Sequence, residues 1–212
     1  MRTEPGEVVG EMTVVLNTTR GEIKMHLRPC EGRTGCAIFL GGAAGGVRGP
    51  ANAIYERIGV ELVEAGVTSL RIEYREPGEF EECVADALAG ASFLKGIGAT
   101  EAVVVGHSFG GAVAIKAGEL APLITSVVAM SSQRFGTQTV DELKKPLLLI
   151  HGSNDEILDQ AASKDIFERA EEPKRLEILE GAGHGLLEVA DEVHDLLHGF
   201  ITMSVGISPL ES

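Results

Sequence analysis

Short apolar runs alternating with longer amphipathic ones predict an α/β chain. The fold expected is a three-layer α/β/α sandwich on a mostly parallel sheet of about eight strands with an antiparallel N-terminal edge. Three observations carry this. The strand-like and helix-like runs alternate over most of the chain. The central strand-like runs, such as Val103–Val105, are apolar throughout, as strands covered on both faces must be. The first two runs, Met12–Val15 and Ile23–Leu27, flank the turn-like segment Asn17-Thr18-Thr19-Arg20-Gly21 and read as a hairpin.

The remaining elements follow in order. Ala37–Leu40 is a strand that runs into glycines. Ala51–Ala65 is a helix with Ile54, Ile58 and Leu62 on one face, ended by Gly66. Val67–Tyr74 is a strand, and Glu79–Lys95 a helix ended by Gly96. The strand Val103–Val105 precedes a helix over Ala112–Leu120. Strands at Ile124–Met130 and Leu147–Ile150 follow, the latter entered by Pro146. A helix over Ala161–Ala170, a strand at Leu176–Leu179 and a long helix over Leu186–Phe200 complete the chain.

The chain has 212 residues, 44% of them apolar, which suits one domain over 1–212 with its core at about 12–201 and a loose tail at 204–212. A net charge of −14 argues against nucleic acid and against anionic membrane surfaces as partners. The N-terminus has no secretory pattern, and no run approaches the roughly 18 apolar residues of a membrane span, so a cytoplasmic protein is expected. Cys30, Cys36 and Cys83 have no metal-ligand spacing and read as reduced packing residues. His194 and His198 share a helix face, but two histidines are a weak metal signal, and no metal or cofactor is expected.

In an open parallel sheet, sites form at the carboxyl ends of strands. The strand Val103–Val105 runs into Gly106-His107-Ser108-Phe109-Gly110-Gly111, a Gly-x-Ser-x-Gly pattern between strand and helix. The strand Leu147–Ile150 ends in His151-Gly152-Ser153-Asn154-Asp155. The strand Leu176–Leu179 is followed by Glu180-Gly181-Ala182-Gly183-His184-Gly185. A serine, an acid and a histidine thus appear in that order, each just beyond a strand. The order is that of hydrolases with a nucleophile elbow. The chemistry needs each type: a serine hydroxyl is a weak nucleophile without a base, and imidazole exchanges protons near neutral pH. Asp159 is a rival to Asp155 as the acid. The glycine-rich Gly41–Gly46 lacks the Gly-Lys-Ser/Thr ending of a phosphate loop and reads better as backbone N–H donors for an oxyanion.

These motifs resemble the α/β-hydrolase superfamily over nearly the whole chain, and are similar to its small, lid-poor esterases and dienelactone-hydrolase-like branch. The resemblance implies Ser108 as nucleophile, Asp155 as acid and His184 as base. It implies oxyanion donors at the N–H of Phe109 and of Ala43, with Gly42 the alternative. Many members carry a lid where this chain has only the 16 residues Ser131–Pro146, so an open site is expected. Phe135, Arg134 and Ile157 are the expected substrate-binding residues, with Ser132 and Arg48 as further candidates. His107 is expected to pack beside the nucleophile and His151 to be a buried, hydrogen-bonded strand end. The expected activity is carboxylesterase-like: hydrolysis of a small-molecule carboxylic ester, thioesters included, through an acyl-enzyme. The alternatives are a noncatalytic binding module of the same fold, or a peptidase, amidase or C–C hydrolase. The sequence leaves open whether the protein is a monomer or a homodimer.

Overall fold

The computed structural model describes residues 1–206. Its elements are β1 (Arg2–Pro5), β2 (Met12–Thr18), β3 (Gly21–Arg28), β4 (Gly35–Leu40), α1 (Pro50–Glu64), β5 (Val67–Glu73) and α2 (Phe80–Gly96). They continue with β6 (Glu101–His107), α3 (Phe109–Leu120), β7 (Ile124–Met130), β8 (Leu147–Gly152), α4 (Ala161–Arg169), β9 (Lys174–Leu179) and α5 (Ala190–Val205). The strands form one nine-stranded sheet in the order β1-β2-β3-β5-β4-β6-β7-β8-β9. Strands β4 to β9 are parallel, while β1–β2, β2–β3 and β3–β5 pair antiparallel.

The period-two pattern of the central strands feeds two cores. Ile38, Val104, Val127 and Ala129 face α2, α3 and α4 on one side. Phe39, Val103, Val105, Val128 and Met130 face α1 and α5 on the other. Each of the larger side chains among them contributes about 1.5–3 kcal/mol by its burial, which is why near-continuous apolar runs mark these strands. Strand β5 lies on one side of β4 and β6 on the other, so the chain reverses its winding between them. That switch point opens a crevice at the carboxyl ends of β4 and β6, where the glycine loop and Ser108 sit.

Four features differ from the sequence reading. The ninth strand, β1, is the true edge; Arg2-Thr3-Glu4-Pro5 is fully exposed, and it is joined by backbone pairing to β2 and by Arg2 to Glu22 at 2.7 and 3.1 Å. The β2–β3 turn contracts to two residues, because Thr18 and Gly21 still pair. The last helix starts at Ala190 rather than Leu186, since Leu186 adopts a left-handed conformation (φ 55°) followed by a short 3-10 turn. The same helix continues to Val205, which is buried, so the packed chain reaches beyond 201; residues 207–212 of the expected tail lie outside the described residues.

Candidate active site

Ser108 stands alone between strand and helix. Strand β6 ends at His107 and α3 begins at Phe109, three residues before the expected Ala112. Ser108 itself has φ 60° and ψ −120°, a strained conformation that costs about 1–3 kcal/mol. It is held there by its N–H donating to Met130 O (2.8 Å) and by its carbonyl accepting from Gly111 N (3.0 Å). The elbow is tight enough to exclude side chains around it. A Cβ on Gly106 would overlap the Gly110 backbone, and one on Gly110 would overlap Gly41 O and stand 2.8 Å from Leu40 O.

The histidine and the acid come from the loops after β9 and β8. His184 Nδ1 and Asp155 Oδ2 are 2.7 Å apart, leaving Nε2 as the ring nitrogen available to Ser108. The Asp155 side chain is fully enclosed. Its Oδ1 accepts the N–H groups of Ile157 (2.9 Å) and Leu158 (2.8 Å). Burial alone would push this carboxyl up. The N–H of Leu158, the ring N–H of His184 and the N–H of Ile157 outweigh it and hold the carboxyl below its ordinary value. The rival Asp159 lies just before α4, its carboxylate accepting the Ala161 N–H at 2.7 Å, and makes no hydrogen bond to His184 among the described residues.

His107, expected to pack beside Ser108, and Ser131, which the sequence did not single out, fix the backbone of His184. The carbonyl of His184 accepts from His107 Nε2 (2.9 Å) and from Ser131 Oγ (3.1 Å). Facing a carbonyl, His107 Nε2 must carry the hydrogen, so its ring is neutral or cationic with a fixed donor. Burial pushes His107 down to about 4. His107 lies in the variable position of the elbow, and no linear signal joins it to residue 184.

Ser108, His107, His184 and Gly185 share a pocket of about 440 Å³ with Gly41–Gly46, Arg48, Gly49 and Pro50. The glycine loop folds back on itself, with Gly45 N donating to Gly42 O at 2.9 Å. A Cβ built on Gly42 would stand 3.8 Å from Ser108 Cβ. The N–H of Phe109, first residue of α3, has no partner within the helix. The root of the loop is pinned by Tyr55 Oη, which donates to Leu40 O at 3.1 Å. The lining of this pocket carries one cation, Arg48, and no carboxylate among the described residues.

The expected binding residues divide. Arg134 turns to α4, donating to Ala161 O (3.1 Å) and lying 3.8 Å from Asp165, and is not part of the Ser108 pocket. Phe135 is exposed and rests on Phe80, which packs on Phe109 (centroids 5.5 and 6.0 Å), so it forms an outer ledge rather than a wall of that pocket. Ile157 is exposed on the other side of His184, beside Asn154, Gly183 and Glu188. Ser132 is buried against Gly111 and makes a backbone contact only. Arg48 does line the pocket, with its Nε donating to Glu56 at 2.8 Å. The three cysteines are free thiols. No helix among the described residues is long and apolar enough to cross a membrane.

Comparison with known proteins agrees with the fold. A family described as serine aminopeptidase, S33, matches residues 129–191, a span that includes Asp155 and His184. The alpha/beta hydrolase domain-containing protein 17B of Xenopus tropicalis is 32% identical over 66 residues, which is 31% of this chain and 23% of that protein. The chain therefore matches about a quarter of the length of that relative. A dienelactone hydrolase from Anabaena variabilis superposes with a TM-score of 0.78 at 21% identity, covering 92% of this chain and 98% of that one. An α/β serine hydrolase without a lid from Xanthomonas campestris superposes at 0.77 with 18% identity, covering 97% and 100%.

Proposed function

The chain is an α/β-hydrolase by fold, and on that premise we propose that it hydrolyses carboxylic esters, thioesters included, through an acyl-enzyme on Ser108. One observation carries the reading. His184 shares a pocket with Ser108 while its Nδ1 is engaged by an enclosed carboxylate, so Nε2 is left to act on the serine. Ser108 Oγ attacks the ester carbonyl as Nε2 takes its proton. Negative charge on the former carbonyl oxygen is met by the N–H of Phe109 and by that of Gly42 or Ala43, each such donor being worth about 10²–10³ in rate. The intermediate collapses, the alcohol leaves with the proton from Nε2, and water repeats the sequence on the acyl-enzyme to release the acid. Asp155 stabilises the imidazolium formed in both halves.

The connection between β7 and β8 has no room for a lid, which supports short or solvent-exposed acyl groups as substrates. The match to a serine aminopeptidase family favours a second reading, cleavage of a peptide after its N-terminal residue. That activity must bind a free ammonium group, and the carboxylate-free lining of the pocket supports the ester instead. The test is turnover of p-nitrophenyl esters of increasing chain length alongside an aminoacyl p-nitroanilide. Ester turnover that vanishes in Ser108→Ala, with the fold intact, is the expected result. Undiminished activity in that variant overturns the assignment, and p-nitroanilide turnover exceeding that of esters favours the peptidase.

A further inference from the structure

The glycine loop has few side chains of its own to hold it. Residues 41–46 are glycine and alanine alone, and Ala43, Ala44 and Gly46 are exposed. Beyond them, Val47 and Arg48 stand between Gly46 (φ 102°) and Gly49 (φ 79°), two points where the backbone swivels readily. Tyr55 fixes the ends of this stretch, its hydroxyl donating to Leu40 O (3.1 Å) and its N–H to Arg48 O (3.1 Å). One side chain reaches in between. Arg71 on β5 donates from Nη1 to Val47 O at 3.2 Å. Among the described residues it is the one side chain that hydrogen-bonds to backbone within 41–49.

Arg71 stands beside Phe39 in the register of β4 and β5 and is buried. A buried guanidinium needs a counter-charge and acceptors for its N–H groups. Glu11, enclosed just before β2, provides both, accepting from Arg71 Nη2 at 2.5 Å. The backbone of Glu11 is fixed in turn, its N–H donating to Val8 O (3.0 Å) and its carbonyl accepting from Gly6 N (3.0 Å). Apolar side chains of similar volume often serve a core as well as a buried ion pair does, so packing alone does not call for this one. We propose that Arg71 is a positioning residue for the glycine loop, one arm of its planar fork set by Glu11 and the other holding Val47 O. The proposal rests on reading that loop as the oxyanion donor. A shift at Val47 is passed on to Gly42 and Ala43, because the exit of the loop packs on its entry. Gly45 N donates to Gly42 O at 2.9 Å, and a Cβ on Gly41 would stand 2.6 Å from Gly45 O and 2.7 Å from Gly46 O. The oxyanion forms only on the way to the transition state, so a displaced loop costs kcat rather than KM.

Arg71→Lys tests this, since it keeps the charge opposite Glu11 and loses the fork that spans two acceptors. It should lower kcat for p-nitrophenyl acetate about tenfold with KM within about twofold, and weaken by the same factor a trifluoromethyl ketone, which forms an oxyanion on binding. Arg28→Gln is the control for mere destabilisation. Arg28 Nη1 donates to Val9 O (2.9 Å) and its Nη2 lies 3.5 Å from Glu11, so this variant disturbs the same charge cluster without touching the loop. It should lose stability and keep kcat. Hydrogen exchange gives a readout that needs no turnover: relative to the amides of β5, the Gly45 amide should exchange faster in Arg71→Lys than in Arg28→Gln. Unaltered kcat and inhibitor affinity in Arg71→Lys, or equal losses in the two variants, overturn the proposal in favour of a purely structural ion pair. Should Arg71→Lys fail to fold, Glu11→Asp decides, because a carboxylate shorter by one methylene draws the guanidinium away from Val47 O. A smaller loss of kcat and inhibitor affinity then supports the proposal, and unaltered values overturn it. Absence of ester turnover and of fluorophosphonate labelling in the unaltered protein would instead refute the hydrolase reading, and exchange at Gly45 would still judge Arg71.

Discussion

Asp155→Asn is the substitution whose consequences the hydrogen-bond pattern determines most fully. Three N–H groups converge on this carboxylate: Ile157 N and Leu158 N on Oδ1 and His184 Nδ1 on Oδ2. A carboxamide has one oxygen to offer. If its NH₂ faced the loop, two backbone donors would meet a donor, and neither can change. If it faced His184, the conflict there would be relieved, because His184 can move its hydrogen from Nδ1 to Nε2. The second orientation therefore prevails. It costs about 1 kcal/mol of stability, because a charge-assisted hydrogen bond to His184 becomes a neutral one. It also places a hydrogen on the nitrogen that must accept the proton of Ser108. A wrong imidazole tautomer costs about 10⁴ in kcat, or about 5.5 kcal/mol of barrier. The assay is p-nitrophenyl acetate turnover with a urea melt of the same preparation. An Asp155→Asn protein within tenfold of the unaltered enzyme, or an Asp159→Asn protein with the larger loss, would refute the reasoning.

Other substitutions probe the strain and packing around the site. Ser108→Gly should abolish turnover yet raise stability by about 1 kcal/mol, since glycine relieves the backbone strain at φ 60° and gives back part of it as chain entropy; thermal melts check this. Gly110→Ala should cost about 3 kcal/mol or more, read from urea midpoints, because its methyl would meet the carbonyls of Leu40 and Gly41, and kcat should fall as the glycine loop is displaced. His107 is held by burial at about 4, against roughly 6.5 in an unfolded chain. The unfolded state then binds the extra proton first as pH falls. Stability should be whole above pH 6.5 and decline by about 2–3 kcal/mol on the way down to pH 4. His107→Gln, which can still donate to His184 O, should lose less stability over that window, as urea melts at pH 7 and pH 4.5 would reveal.

What the sequence made legible was what depends on local chemistry. Apolar runs of Val and Ile announce doubly covered strands, and Gly106 and Gly110 announce a turn too tight for side chains. Strand β1 was invisible because Arg2–Pro5 buries nothing; only pairing with β2 makes it a strand. The start of the last helix was misplaced because Leu186 fits the apolar period of α5 while its backbone is left-handed. Arg134 and Phe135 follow the strand end that points to the pocket, but Arg134 is drawn to α4 by Ala161 O and Phe135 to Phe80. The contacts of Ser131 and His107 with His184 O join residues that follow or end different strands. No spacing along the chain encodes them.

These cross-strand contacts bear on how a site without a lid stays organised. Many enzymes assemble the final geometry by closing a segment over the substrate, so binding energy does the ordering. Here the 131–146 connection is too short to close over anything, and the ordering must exist beforehand. The hydrogen bonds are placed accordingly. Tyr55 holds the last carbonyl of β4 just before the glycine loop, Gly185 O accepts from Ala51 N at the start of α1, and His107 and Ser131 hold the carbonyl of His184. Each ties backbone at or beside a site loop to the packed body of the domain, and each acts on backbone rather than on a reacting atom. The strain at Ser108 persists because β6, at the centre of the sheet, is over-determined by neighbours on both edges and both faces. Preorganisation of this kind places the donors before the charge develops, which is where electrostatic stabilisation is most effective.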